Sequence, residues 1–234
     1  MTSVPLIPSA VRLHVIALET PRLIRHCMRC GPQSRFVGSD RFRLNAHQQR
    51  LDVWLIYRCS RCETTWNYPI LSRCRRRDMG EALYQQFLRN DPETAWRYAF
   101  DAERLHRLHI PADFAVPYRV AFHPAASRWD PTEPVTFTTE LIWPCQVRLD
   151  RLLASALSLS RPQVQQWIKA GRLRLLPERS QVWRKPAQSG QCIVMVPPVT
   201  WPLTETGVGS TNQPHTELAS SPALCLMWPP WQVR

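Results

Sequence analysis

The sequence is poor in glycine, with 7 in 234 residues, and contains no Gly-x-Gly-x-x-Gly or Gly-x-x-x-x-Gly-Lys run. Dinucleotide-binding and P-loop phosphate sites need glycines at those spacings, so nucleotide chemistry of both kinds is excluded. Lysine is nearly missing: only Lys169 and Lys185 occur, and the remaining cations are arginines. Residues Met1 to Val11 carry no charged side chain, and the apolar stretch from Val11 to Leu18 is broken by Arg12 and His14. A signal peptide has a positive start and a long apolar run, and both are lacking. No uncharged apolar segment approaches the ~20 residues of a membrane span. A cytoplasmic protein is therefore expected. Disulfides are rare in that compartment, so the 8 cysteines call for another explanation.

What the chain does have is positive charge: 30 Lys and Arg against 18 Asp and Glu, a formal +12. An excess of this size points towards polyanions. The charge is also segmented. Pro21 to Arg77 holds 13 Arg and 3 acids, and Gln146 to Lys185 holds 7 Arg and 2 Lys against 2 acids. Between them, Asp78 to Pro117 sets 4 Arg against 7 acids, so two basic modules flank a slightly acidic one.

Four cysteines form two Cys-x-x-Cys pairs, Cys27 with Cys30 and Cys59 with Cys62. Each pair can fold as a knuckle that aims both sulfurs at one metal, and together they make a four-thiolate site suited to structural Zn2+. Gly31 follows the first pair, where a knuckle favours a backbone conformation that glycine takes cheaply. The 28 residues between the pairs read as a long hairpin. Arg41 to Ala46 and Leu51 to Arg58 alternate as strands do, with Phe42 and Leu44 on one face and Leu51, Val53, Leu55 and Tyr57 on one face. The turn falls over Asn45 to Arg50. A site closed by four thiolates has no open position for water, so zinc here would hold the fold. Cys74, Cys145, Cys192 and Cys225 lack such spacing and read as ordinary reduced thiols.

Met79, Ala82, Leu83 and Phe87 fall at helical spacing, and Asn90-Asp91-Pro92 ends that helix and caps the next. The second helix is expected to run to about Leu108, with Ala95, Trp96, Ala99 and Ala102 on one side. From Ile110 to Pro144 prolines interrupt the chain before a β-favouring run, Val135 to Trp143. Further on, Leu149, Leu152, Leu153, Ala156 and Leu157 mark an amphipathic helix. Ser160 caps another, with Pro162 in its first turn and Gly171 at its end. Val164, Trp167 and Ile168 face its core. Arg161, Gln165, Lys169 and Arg172 make a polar stripe on the opposite side. Arg172 to Leu176 and Cys192 to Val196 are strand-like, and the sequence beyond Pro197 reads as a disordered tail.

Arg148-Leu-Asp-Arg-Leu-Leu-Ala154, Leu159-Ser-Arg161, Gln165, Ile168, Gly171 and Gly190-Gln-Cys-Ile193 resemble the small RNA-binding domain named after ribosomal protein S-four. In that family the start of the second helix and its polar face contact the RNA backbone. The resemblance implies RNA contacts at Arg148, Ser160, Arg161, Gln165, Lys169, Arg172 and Arg174. Two features depart from the pattern: Pro177-Glu-Arg-Ser180 replaces the usual Asn-Gly turn, and Gln191 stands where Asp usually follows the late glycine. The wider arrangement is similar to a bacterial family catalogued as domain of unknown function 1062. That likeness is carried by Cys27 to Gly31, Phe42 to Ala46, Leu51 to Cys59, Thr65-Trp-Asn67 and Arg148 to Leu153.

The expected fold class is α+β: a β-hairpin zinc ribbon, a helical middle segment and a small α-α-β RNA-binding domain. The expected divisions are an N-terminal segment over 1–20, a four-cysteine zinc ribbon over 21–77, a helical pair and connection over 78–145, the S-four-like domain over 146–197 and the tail over 198–234. The expected function is non-enzymatic binding of structured RNA, ribosomal or transfer RNA, with the ribosome as a candidate partner. Arg41, Arg43, Arg58 and Arg61 would offer a second nucleic-acid surface on the ribbon, and exposed members of Phe36, Phe42, Trp54, Trp66 and Tyr68 could stack bases. A DNA-binding regulator using the ribbon and an accessory to an RNA-modifying enzyme are the alternatives. No small-molecule substrate and no membrane partner are inferred.

Overall fold

A computed structural model of the chain describes residues 11–47, 49–123, 133–177 and 182–196, together with the backbone of 208–209. The described residues form two sheets and six helices. The first sheet grows from the basic N-terminal module. Strands β2 (Arg22–Cys27), β3 (Gly31–His47), β4 (Arg50–Cys59) and β5 (Thr65–Arg75) are joined antiparallel in sequence order, and β6 (Ala112–Asp113) pairs with the free edge of β2. The hairpin expected from alternation is present, but its first strand spans Gly31–His47 and its second begins at Arg50, so both strands take in residues expected in the turn. Leu51, Val53, Leu55 and Tyr57 are buried along one face of β4, as period two demands.

Strand β5 carries no clean alternation, and the reason is visible in its pairing. Val53 lies opposite Leu71 and Trp54 opposite Pro69, so an extra residue interrupts the ladder at Ile70. The bulge turns the Pro69 and Ile70 carbonyls towards Arg104, whose guanidinium donates to both. A second irregularity, between Gly38 and Phe42 on β3, is held from the helices. Asn90 Oδ1 accepts from the Phe42 N–H at 2.7 Å, and Trp96 hydrogen-bonds the Asp40 carboxylate. The helical middle is therefore keyed to these two of the sheet's irregularities.

The helices of that middle are α1 (Arg76–Met79), α2 (Glu81–Leu88), α3 (Pro92–Ala99) and α4 (Ala102–Arg107). The Asn90-Asp91-Pro92 junction forms as expected. Asn90 has φ +53°, the Asp91 carboxylate accepts from the Thr94 N–H at 3.0 Å, and Pro92 opens α3. The single helix expected to reach Leu108 is instead two. Asp101 caps α4 by accepting from the Arg104 N–H at 2.9 Å, a start signal inside a run that otherwise reads as helical. The break turns the two sides of α3 to different partners: Ala95 and Ala99 join the core under the first sheet, while Trp96 and Phe100 join the second core. Ala102 is exposed. There Phe100 stacks on Trp143 at 5.2 Å between centroids, with Trp96 5.9 Å from the same ring, so aromatics span the junction.

The second sheet joins strands that are distant in sequence. Strand β1 (Val11–Ala17) lies antiparallel to β7 (Tyr118–His123) and parallel to β8 (Val135–Leu141). The C-terminal module contributes α5 (Leu149–Ala156), α6 (Arg161–Lys169), β9 (Leu173–Leu176) and β10 (Cys192–Met195), and β11 (Val208–Gly209) adds to the far edge. The strand order is β11-β7-β1-β8-β10-β9. Because β10 pairs with β8 as well as β9, the strands of segment 146–197 continue into a sheet that includes β1. Leu149, Leu152 and Leu153 of α5 and Val164 of α6 are fully buried against this sheet.

Ser160 caps α6 with a reciprocal capping box through Gln163, and Gly171 takes φ +69° just past the helix end. Gln191 fills the role left open by the absent Asp: its Oε1 accepts from the Gln188 N–H at 3.0 Å and closes the turn before β10. Thr139, 1% exposed, pins the same turn by donating to the Gln188 carbonyl at 2.6 Å and accepting from the Gln191 N–H at 3.1 Å. Thr139→Val is expected to leave both groups unpaired and lower stability by about 1–3 kcal/mol, measured by chemical denaturation. The 177–180 turn and the tail expected over 198–234 lie outside the described residues, apart from Pro177 and the β11 backbone. Among the described residues no helix is long and apolar enough to cross a membrane.

Candidate metal centre and basic surfaces

The cysteine pairs sit in the two turns at one end of the first sheet, β2 to β3 and β4 to β5. Cys27 ends β2 opposite Gly31, which takes φ +88° with open space where a Cβ would lie. Glycine is therefore required there by the backbone alone. Cys59 closes β4 opposite Phe36, so the β3–β4 ladder brings the second turn alongside the first. All four sulfurs lie within 4.8 Å of one another, and Cys27 and Cys62 are 3.5 Å apart. Tetrahedral zinc with Zn–S bonds near 2.3 Å places its sulfurs ~3.8 Å apart, so the donor set fits such an ion. This cluster could hold a metal ion, and zinc suits four thiolates best.

Local hydrogen bonding favours the ligating form at the second turn. The Cys62 thiol is held down to about 6, first by the Thr64 hydroxyl 3.1 Å away and then by the Thr64 backbone N–H. Cys59 is lowered by the backbone N–H groups of Arg61 and Cys62. Cys30 is pushed up to about 12, chiefly by its hydrogen bond to Cys62 and then by desolvation. Cys74 and Cys192 lie half-buried outside the cluster, and Cys145 is buried, with its thiol pushed up to about 11 by desolvation. Cys225 lies outside the described residues.

The residues expected to contact RNA separate into two groups. Arg148 and Arg161 converge on Asp150, which is 1% exposed. Arg148 reaches its carboxylate through Nε at 3.1 Å and a second nitrogen at 2.6 Å, and Arg161 lies 3.7 Å away. This clamp joins the first turns of α5 and α6, and it gives both arginines a structural partner that the spacing Arg148-Leu-Asp150 already encoded. The Ser160 hydroxyl is engaged in the helix cap, accepting from the Gln163 N–H at 3.4 Å. Gln165, Lys169 and Arg172 are exposed along and just beyond α6, and no carboxylate lies within ion-pair distance of Lys169 or Arg172 among the described residues. Arg174 is exposed on β9, with its Nε donating to the Gly171 carbonyl.

On the first sheet, Arg43 and Arg58 share the face away from the helices, Arg41 lies exposed in the irregular stretch of β3, and Arg61 sits in the second cysteine turn. Most of the aromatics considered for stacking belong to the core. Phe36, Phe42 and Tyr68 are buried, and Trp66 is covered by the Arg25 guanidinium 4.0 Å from its centroid. Trp54 alone of that set lies on the outer face.

Residues 44–179, more than half of the chain, match the family described as protein of unknown function, DUF1062. The chain belongs to this family. Its match begins within β3 and ends after β9, so it takes in Cys59, Cys62 and the Asp150 clamp and leaves Cys27 and Cys30 outside. No curated protein and no solved structure matches the chain.

A cleft of about 480 Å³ lies where the two halves meet, lined by Phe114, Leu141, Cys145, Gln146 and Ser189 among others. Its one ionisable side chain is Cys145, which desolvation keeps protonated at neutral pH.

Proposed function

We propose that this member of the DUF1062 family is a zinc-containing RNA-binding protein without a catalytic role, whose contact surface is built on the exposed face of α6. Lys169 and Arg172 support this reading most directly. They are exposed cations without carboxylate partners among the described residues, at and just past the end of a helix fixed at its start by the capping box and the Asp150 clamp. A rigid cationic edge of this kind suits phosphates, and phosphate contacts give affinity without sequence reading, so structured ribosomal or transfer RNA is the natural target. The helix, helix, strand, strand order over 149–195 agrees with the S-four resemblance. Zn2+ held by Cys27, Cys30, Cys59 and Cys62 would stabilise the end of the first sheet, where Arg58 and Arg61 add charge.

Arg161 is unsuitable as a probe because its loss also disturbs Asp150. The double change Lys169→Gln and Arg172→Gln avoids the clamp. It is expected to weaken binding to transfer or ribosomal RNA and to flatten the plot of log affinity against log salt by roughly 1–2 units, with thermal stability unchanged. An unaltered affinity and slope in a filter-binding titration would remove α6 from the interface, and tighter binding to duplex DNA than to RNA would favour the regulator.

A further inference from the structure

We infer that the outer face of the first sheet is a binding platform for a single-stranded stretch of RNA, with Trp54 as the stacking surface for one base. This rests on the RNA-binding reading and names the form of RNA that the ribbon surface takes. The sheet has two unlike faces. One is covered by α2, α3 and α4, and buries Phe36, Phe42, Leu55, Tyr57 and Tyr68. The other bears Arg50, Asp52, Trp54, Ile56 and Arg58 along β4, none of which belongs to either hydrophobic core.

Trp54 lies at the middle of that row, about 13 Å from each end at 3.3 Å per residue. Its cross-strand neighbours are Arg43 on β3 and Pro69 on β5, and no ring or guanidinium stacks on it among the described residues. Trp66 shows the contrast, since Arg25 already occupies its face. The charge around Trp54 is one-sided. Arg43 beside it and Arg50, Arg58 and Arg75 further along the same face have no ion-pair partner among the described residues, and Arg50 pairs directly with Arg75 across the ladder. Like charges opposite one another destabilise a sheet, and a bound anion relieves that repulsion. The one acid in the row, Asp52, is engaged by the Arg73 N–H at 2.7 Å.

A half-buried indole with no stacked partner among the described residues, beside Arg43 and between Arg50 and Arg58 at the ends of its row, matches a strand of nucleotides, which offers both a base to stack and phosphates to neutralise. A duplex offers only the second, because its bases are stacked on each other. The occupant is therefore an unpaired stretch, such as a loop or an end, adjoining the structured RNA held at α6.

The test measures fluorescence anisotropy of a labelled single-stranded RNA of about 12 nucleotides and of the same sequence as a duplex, using the full metal-loaded chain. The wild type should bind the strand more tightly than the duplex. Trp54→Ala should weaken strand binding about tenfold or more, the effect of one lost base stack, with little change for the duplex. Trp54→Tyr should restore most of the affinity. Arg43→Gln and Arg58→Gln should each reduce the strand's salt slope by about 0.7. All these residues lie outside the buried cores, and unchanged thermal midpoints would verify folding. Wild-type strand affinity in Trp54→Ala, while the Lys169 and Arg172 double change still weakens binding to transfer or ribosomal RNA, would overturn the platform and leave the α6 reading standing. No binding of any RNA by the wild type would overturn both.

Discussion

Purified protein is expected to carry one zinc ion per chain, and Cys59→Ser is expected to lose it with a fall in the thermal midpoint of about 10 °C or more. The cluster holds two turns that would otherwise be tied only by their strands, and Cys59 is buried at the end of β4, opposite Phe36. Structural zinc in small domains contributes apparent free energies of about 10–16 kcal/mol at pH 7, while the net stability of a domain is about 5–15 kcal/mol. The first sheet has its own apolar core, so only part of that contribution is at stake. A loss of about 4 kcal/mol already corresponds to roughly 8–16 °C for a chain of this size. Cys74→Ser provides the control, since Cys74 lies on β5 outside the cluster and its loss should leave the metal in place. Metal analysis together with a thermal melt checks the pair. A folded, equally stable Cys59→Ser variant, or a wild type free of metal, would show that the four sulfurs are mere neighbours.

Arg148→Met is expected to destabilise the protein by about 1–3 kcal/mol and to leave RNA affinity, measured well below the melting transition, nearly unchanged. Asp150 is buried to 1% exposure and depends on Arg148 for a two-pronged contact, with Arg161 more distant. Arg148 is itself 42% exposed, so its removal leaves the buried carboxylate with only the more distant Arg161. Replacing the pair together, as Arg148→Met with Asp150→Leu, should recover most of the loss, because a well-packed apolar pair is often as stable as the ionic one. Urea denaturation of the single and double variants measures the coupling. If Arg148→Met instead keeps its stability and loses RNA affinity, Arg148 is a contact and the clamp is incidental.

Local signals carried much of this molecule. The four clustered cysteines, the hairpin, the Asp91 and Ser160 caps and the buried faces of β4 and α5 all follow from spacing and period, because each depends on residues within one or two turns or strands. Strand β5 was hidden by its bulge: Pro69 and the doubled register at Ile70 erase the alternation that marks β4. Strand β1 was hidden for a different reason. Its pattern over Val11–Ala17 is short, and its partners β7 and β8 begin at Tyr118 and Val135, so pairing across most of the intervening chain decides its place. The division of α3 from α4 turned on Asp101, which reads equally as a solvated helix residue and as a cap until Phe100 is seen turning into the second core.

The basic residues were legible as a total, and the partner of each one was not. Arg148 and Arg161 neutralise Asp150, Arg25 covers Trp66 and Arg104 takes bulge carbonyls, so these charges serve the fold. Lys169 and Arg172 stay exposed at the end of α6 and Arg43, Arg50 and Arg58 on the outer face of the first sheet, while Arg119, Arg151 and Arg184 are exposed elsewhere. Trp54 was one aromatic among several until burial removed Phe36, Phe42 and Tyr68 and Arg25 covered Trp66.

Crosslinking in living cells followed by sequencing of the attached nucleic acid tests the proposed RNA binding most directly. Recovery of ribosomal or transfer RNA, with crosslinked peptides from α6 or from β4 around Trp54, is the predicted result. Recovery of DNA alone, or of no nucleic acid, would contradict it.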